Sequence, residues 1–174
     1  NIMHELKTPL TKGRIAVQFF EEGANRQLLE EVFVRLERLI DEMAEIEKLN
    51  TQNLTLRPKR YRVQDIVDNA AELLFLESGH LHTRLNGAVI EGDFRLLSLA
   101  CKNRIDNAIK YSPDRRVKVE VTEGGVRFCN RGEPLQAPLE QYVQPFFKGD
   151  LALEEGRGLG LGLYITQEIL AHHG

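Results

Sequence analysis

The residues best placed to do chemistry lie near the start of the chain. In HELKTPL, residues 4–10, a histidine precedes a glutamate and stands four residues before a threonine. On a helix, positions i and i+4 share a face, so Thr8 stacks one turn from His4 while Glu5 points about a quarter turn away. A neutral imidazole nitrogen is a good nucleophile near neutral pH. A carboxylate at the other nitrogen orients the ring and stabilises its cationic form. Pro9 cannot donate to the Glu5 carbonyl and clashes with it, so a bend is expected beside the histidine. A lone helical histidine is usually plain surface, and the surrounding Glu5, Thr8 and Pro9 narrow the pattern.

A second set is NRIDNAIKY, residues 103–111. Asn103, Asn107 and Lys110 stand at i, i+4 and i+7, on one helical face. Two amide oxygens suit a hard cation and a lysine suits phosphate. An ordinary amphipathic helix with a polar face would look the same. The third set is GRGLGLGL, residues 156–163, followed by LYITQEILAHH. Glycine lets backbone N–H groups approach an anion closely, and a following helix offers its N-terminus to phosphate. Alone, such a stretch is often just flexible.

These groups need elements to hold them. Met3, Leu6, Leu10, Gly13, Val17 and Phe20 recur at alternating spacings of three and four. After EEGAN the pattern restarts with Leu29, Val32, Leu36, Leu39, Met43 and Ile46. This is the period of a coiled coil or bundle. Gly23 is read as the residue after the first helix and Asn25 as the cap of the second. One antiparallel hairpin cannot bury both seams and Phe33, Ile40 and Leu49 as well. Pairing two hairpins in a four-helix bundle would, so a homodimer is expected.

Residues 51–60 read as a polar linker with one short strand at Leu54–Leu56. The basic cluster Arg57, Lys59, Arg60 and Arg62 there reads as solvated surface. The character changes from residue 61. VQDIVDNAAELLFLES (63–78) is an amphipathic helix; HLHTRL (80–85) and AVIEGD (88–93) are strand candidates. Residues 93–112 form a helix started by Asp93 and stopped before Pro113. Residues 115–130 alternate around Gly124-Gly125, a β-hairpin signal. Residues 131–158 are loop-like, and a last helix closes the chain. Helices and an antiparallel hairpin without βαβ alternation define an α+β fold: a helical hairpin (1–50), a linker (51–60) and an α/β sandwich domain (61–174).

The bulk properties agree with a folded protein. The chain has 174 residues, 42% hydrophobic and 28% charged, with net charge −3. No basic field argues for nucleic acid. Cys101 and Cys129 have no metal-binding spacing and read as reduced and structural, which fits the cytoplasm. There is no apolar run of about 18 residues and no signal peptide. The chain opens in mid-pattern, so it is expected to be a piece of something longer.

HELKTPL resembles the H-box of bacterial sensor histidine kinases, and the two-helix seam resembles their dimerisation and histidine-phosphotransfer domain. NRIDNAIKY is similar to their N-box, GRGLGLGL to their G2-box, and PFFKGD (145–150) to the F-box before the mobile lid over ATP. Their ATP-binding domain has the fold of the gyrase, heat-shock-protein-90 and MutL ATPases (the GHKL or Bergerat fold). The resemblance runs from residue 1 to residue 174, in the family's order of boxes, although the family adds further strands after this point.

The resemblance implies that His4 accepts phosphate from Mg-ATP, that Glu5 assists as base, and that Thr8 helps place the water that later dephosphorylates the partner. It assigns Mg2+ to Asn107 with Asn103 nearby. The nucleotide falls to Asn103, Asn107, Lys110, Tyr111, Asn130, Gly132, Gly158, Leu159, Gly160 and Leu161, with Lys148 and Arg157 as phosphate contacts. In the ATPase relatives a glutamate at the position of Asn103 activates water, and an asparagine there keeps ATP for the histidine. The implied partners are a second copy and the receiver domain of a response regulator. The implied location is the cytoplasmic portion of an inner-membrane-anchored protein, attached through segments absent from this chain.

Two positions depart from the pattern. The family's Asp-x-Gly-x-Gly, whose aspartate accepts from the adenine amino group, is here Asn130-Arg131-Gly132-Glu133-Pro134. Arg104 replaces an apolar residue. These departures motivate the alternative of a degenerate kinase that only scaffolds a regulator. A hydrolytic ATPase of the same fold is a further alternative.

Overall fold

A computed structural model describes residues 2–50, 55–147 and 160–174, without the side chains of residues 2, 4 and 50. The chain divides into two compact units, Asn1–Leu54 and Thr55–Gly174.

The first unit is a helical hairpin of α1 (Ile2–Val17) and α2 (Ala24–Asn50). Helix α1 runs continuously through Pro9. Among its described side chains, Leu10 and Val17 are the buried ones. Between them Gly13 makes room for the Phe33 ring, because a Cβ on Gly13 would stand 2.6 Å from Cε1 and Cζ of that ring. Arg14 pairs with Glu37 at 2.6 Å and Lys7 pairs with Asp41. Exposed pairs of this kind contribute about 0–1 kcal/mol, so they fix register more than they stabilise. These contacts make the helices antiparallel and put Phe33, Glu37 and Asp41 on the face of α2 that meets α1.

The expected seam on α2 keeps its period, and Leu29, Leu39 and Ile46 of it are half-buried within this hairpin. Val32, Leu36 and Met43 remain 43%, 39% and 37% exposed, because α2 carries two apolar stripes one residue apart and α1 takes the one containing Phe33. The helix boundaries also differ. Phe20 lies beyond the end of α1, Gly23 precedes α2 and accepts from Gln27 N–H at 3.1 Å, and Asn25 lies inside α2.

The second unit is a two-layer α/β sandwich. Its order is β1 (Lys59–Arg62), α3 (Val63–Leu73), β2 (Leu81–Arg84), β3 (Val89–Gly92), α4 (Phe94–Lys110), β4 (Val117–Thr122), β5 (Gly125–Cys129), α5 (Leu139–Tyr142) and α6 (Gly162–His173). Strand β2 pairs parallel with β4, and β4 antiparallel with β5, with Thr122 opposite Gly125 across the expected hairpin. β1 pairs antiparallel with β3 in a separate two-stranded ribbon. The period of two turns Val117 and Val119 inward. They meet Val63, Val67 and Ala70 of α3 and Ile105, Ala108 and Ile109 of α4 in one core.

Two element boundaries moved. Thr55 and Leu56 form no strand; the strand is Lys59–Arg62, placed by its pairing with β3 and by Tyr61 tilted against Phe94 at 5.1 Å. Helix α3 stops at Leu73 because Phe75 takes a left-handed φ of 49°, which returns Leu76 to the core behind Leu74. Asp93 caps α4 as expected, accepting from Leu96 N–H at 3.1 Å. Among the described residues no helix is long and apolar enough to cross a membrane.

Candidate functional site

Helix α4 carries the first part of the site. Asn103 and Asn107, one turn apart, are both half-buried, and both lie against the first residue of α6. A Cβ on Gly162 would stand 3.7 Å from Asn103 Cβ and 3.7 Å from Asn107 Nδ2, and Asn103 Nδ2 donates to the Gly162 carbonyl at 3.4 Å. Lys110, one turn on, forms an ion pair with Asp106. Tyr111 caps the helix, its N–H bonded to the Asn107 carbonyl at 3.0 Å, with its side chain 40% exposed. The helix thus offers amide oxygens and one cation along a single edge.

The glycine stretch reaches the same edge. Gly160 has φ +74°, and a Cβ there would stand 2.3 Å from the Phe147 carbonyl oxygen. Only glycine meets both demands, left-handed backbone and direct backbone contact. Leu161 is fully buried, and Thr166 Oγ1 donates to the Gly162 carbonyl at 2.8 Å. Phe147 is held by an edge-on contact with Tyr142 at 5.1 Å. The backbone role of Phe147 was not legible beforehand; its only signal was that PFFKGD precedes the glycine stretch. Lys148, Arg157, Gly158 and Leu159 lie outside the described residues.

The turn after β5 closes on the far end of α4. A Cβ on Gly132 would stand 3.2 Å from the Tyr111 carbonyl and 3.5 Å from Asn130 Nδ2. Asn130 is exposed, and its Nδ2 donates to the Arg131 carbonyl at 2.9 Å. With the amide N–H engaged in its own turn, the side-chain oxygen is the atom left to accept.

Arg104 points away from this edge. Its guanidinium stands 5.9 Å over the Phe128 ring of β5, and burial pulls its pKa down. Cys101, on the core side of α4, has its thiol pushed up to about 11 by burial, which makes it unreactive. In the hairpin, His4 lies in α1, and Glu5, Thr8 and Pro9 are exposed on the same helix.

The donor set fits a nucleotide with a divalent cation better than a protein-caged metal. No cluster of three or more His, Cys, Asp or Glu able to hold a metal exists among the described residues. Half-buried amides beside a glycine backbone suit a small cation that keeps waters and takes phosphate oxygens as ligands.

Residues 92–174, from the end of β3 to the end of α6, match the histidine kinase-, DNA gyrase B-, and HSP90-like ATPase family. The similarity extends into the hairpin. Sensor histidine kinase ArsS of Helicobacter pylori is 34% identical over 173 residues, covering 98% of this chain and 40% of that protein. Sensor protein VanS of Enterococcus faecium is 27% identical over 195 residues, covering 99% of this chain and 50% of that protein. The structure of Acinetobacter baumannii histidine kinase AdeS matches with a TM-score of 0.65 at 21% identity, over 97% of this chain and 86% of that one, a likeness of fold. These likenesses support a bacterial sensor histidine kinase catalytic core, with the ATPase-family match lying in residues 92–174. The chain spans half or less of the length of these curated relatives.

Proposed function

We propose that this chain transfers the γ-phosphoryl group of Mg-ATP to His4 and then to an aspartate on the receiver domain of a response regulator. The observation that carries this reading is the meeting of Gly162 with Asn103 and Asn107, which joins the glycine stretch to the amide edge of α4. In the first step a ring nitrogen of His4 forms a bond to phosphorus as the bond to the ADP oxygen breaks, and Glu5 takes the ring proton. In the second, Glu5 returns the proton to the ring as the phosphorus–nitrogen bond breaks, and the regulator's carboxylate oxygen takes the phosphoryl group. Thr8, one turn from His4, places the water that removes phosphate from the regulator, giving a phosphatase activity. Catalysis is mainly positioning and charge neutralisation.

Asn107, with Asn103 nearby, would hold Mg2+, which supplies neutralising charge at the phosphates. Lys110 and Tyr111 border the nucleotide, and Lys110 must share its charge with Asp106. Asn130 accepts from the adenine amine, and Gly132 lets that turn lie close to α4. Gly158, Leu159, Gly160 and Leu161 offer backbone to the phosphates, and Lys148 and Arg157 offer charge.

The exposed stripe Val32, Leu36 and Met43, with Leu28 at 60% and Leu6 at 45% exposure, fits a second hairpin and hence a homodimeric bundle. The working location is the cytoplasmic side of a bacterial inner membrane, reached through segments absent from this chain. Arg104, which argued for a degenerate kinase, has a structural role against Phe128.

The test is labelling with γ-labelled ATP and Mg2+. The label should be acid-labile and alkali-stable, and His4→Gln should abolish it. Label that survives His4→Gln would sink the assignment. No label on the wild type, with a regulator still captured, would turn the reading to a scaffold. Free phosphate released without protein label would turn it to a hydrolytic ATPase.

A further inference from the structure

At the far end of α6 stands His173, held on both ring nitrogens. Its Nε2 lies 2.9 Å from the backbone N of Asp93, and its Nδ1 lies 2.7 Å from the Ile169 carbonyl. A nitrogen facing an N–H must accept, and one facing a carbonyl must donate, so the geometry requires the neutral ring with its proton on Nδ1. The ring also occupies space that a side chain on Gly92 would fill. A Cβ there would stand 2.9 Å from His173 Cδ2 and 3.1 Å from Nε2. Asp93 is itself a junction: its carboxylate accepts from Leu96 N–H at the start of α4 and from Arg57 N–H at 3.2 Å, on the approach to β1.

The two helices therefore touch at two defined points. One is His173 on Asp93; the other is Gly162 on Asn103 and Asn107. Asp93 to Asn103 along α4 is about 15 Å, and Gly162 to His173 along α6 is about 16 Å, at about 1.5 Å per residue. The spacings match, so the helices run antiparallel with a polar contact at each end. Between those ends α6 is held by Ile165 and Ile169, which are buried. Apolar burial is non-directional and tolerates sliding and rotation. A hydrogen bond with a fixed acceptor does not.

We propose that His173 is a positioning residue that sets the register of α6 on α4, and so places Gly162 beside Asn103 and Asn107. Its importance to nucleotide binding rests on reading that edge as the nucleotide site; its effect on α6 does not.

The experiment compares His173→Phe, which keeps a ring but removes the acceptor, with His173→Gln, whose amide oxygen can accept at the same reach. Two quantities are read on the intact protein: hydrogen exchange at the amides of Ile165 and Thr166 in the first turn of α6, and Mg-ADP affinity by calorimetry. His173→Phe should speed exchange at those amides and weaken ADP about fivefold, the scale of one neutral hydrogen bond. His173→Gln should recover most of both.

Unchanged exchange in folded His173→Phe would overturn the proposal, as would a His173→Gln protein no better than His173→Phe. Faster exchange with unchanged ADP affinity would overturn the link to nucleotide placement. If wild type binds no ADP, the nucleotide reading fails by itself and the exchange result alone decides the role of His173 in positioning α6. If His173→Phe does not fold, His173→Asn takes its place. Its shorter side chain keeps the donor to Ile169 but cannot reach Asp93, and behaviour equal to His173→Gln would overturn the proposal.

Discussion

The two units hold their candidate site residues in opposite ways. In the hairpin, Glu5, Thr8 and Pro9 are exposed, and a stripe of apolar residues on α2 is exposed with them. In the α/β unit the core is closed, and Asn103 and Asn107 are half-buried where α6 crosses α4. Under the proposed function, the difference follows the size of what each unit would meet. A protein partner needs a convex helical face, whereas a nucleotide needs close backbone and recessed amides. It also follows stability. A hairpin of two helices buries little by itself, while the sandwich has its own core.

The largest expected effect would break the hairpin side of this comparison. Val32→Glu with Leu36→Glu puts two charges on the exposed stripe of α2. Burying such side chains contributes about 1.5–3 kcal/mol each, so their loss should weaken self-association by about a hundredfold or more. Light scattering should show a monomer, and circular dichroism should lose helix. The thermal transition of the α/β unit should not move. An unchanged mass would mean that the stripe serves something other than a second copy.

A smaller effect would break the other side. Gly160→Ala forces an L-residue into left-handed backbone, which costs about 1–2 kcal/mol. It also drives a Cβ at the Phe147 carbonyl, 2.3 Å from its ideal position. The contact between residues 147 and 160 should open, with ATP affinity falling about tenfold or more while self-association is kept. Affinity equal to wild type would separate Gly160 from the nucleotide site.

How far the sequence revealed this arrangement depends on the kind of contact. The helical periods were legible because every apolar residue reports its own face, and Asp93 was legible because a cap is a local bond. The pairing of stripes was not: Val32 and Phe33 are neighbours of similar character, and only the room left by Gly13 decides that Phe33 meets α1. The motif residues were legible as sets, but their junctions were hidden. Nothing in a string of letters says that Gly162 lies on Asn107, that Gly132 lies under the Tyr111 carbonyl, or that His173 reaches Asp93. The strand at Lys59–Arg62 was hidden for the same reason, since its charge speaks for solvent and its pairing with Val89–Gly92 is non-local.

The smallest effect concerns Asn130 and sharpens the nucleotide side. Asn130→Asp supplies a charged acceptor for the adenine amine. Hydrogen bonds to charged groups contribute about 1.5–3 kcal/mol, against about 0.5–1.5 for neutral ones. The replacement also removes the bond from Nδ2 to the Arg131 carbonyl and turns a carboxylate oxygen toward that carbonyl. The turn is exposed, so this loss falls at the low end of the neutral range, about 0.5 kcal/mol. The net gain should be well under the charged increment, about threefold in ATP affinity. GTP presents a carbonyl where adenine has its amine and should gain nothing, since a carboxylate cannot donate. Calorimetry with both nucleotides against both proteins measures the difference. A gain shared equally by GTP would mean a general electrostatic effect on the bound cation, and weaker ATP binding would mean that the turn holding Asn130, Gly132 and Pro134 is shaped around the amide.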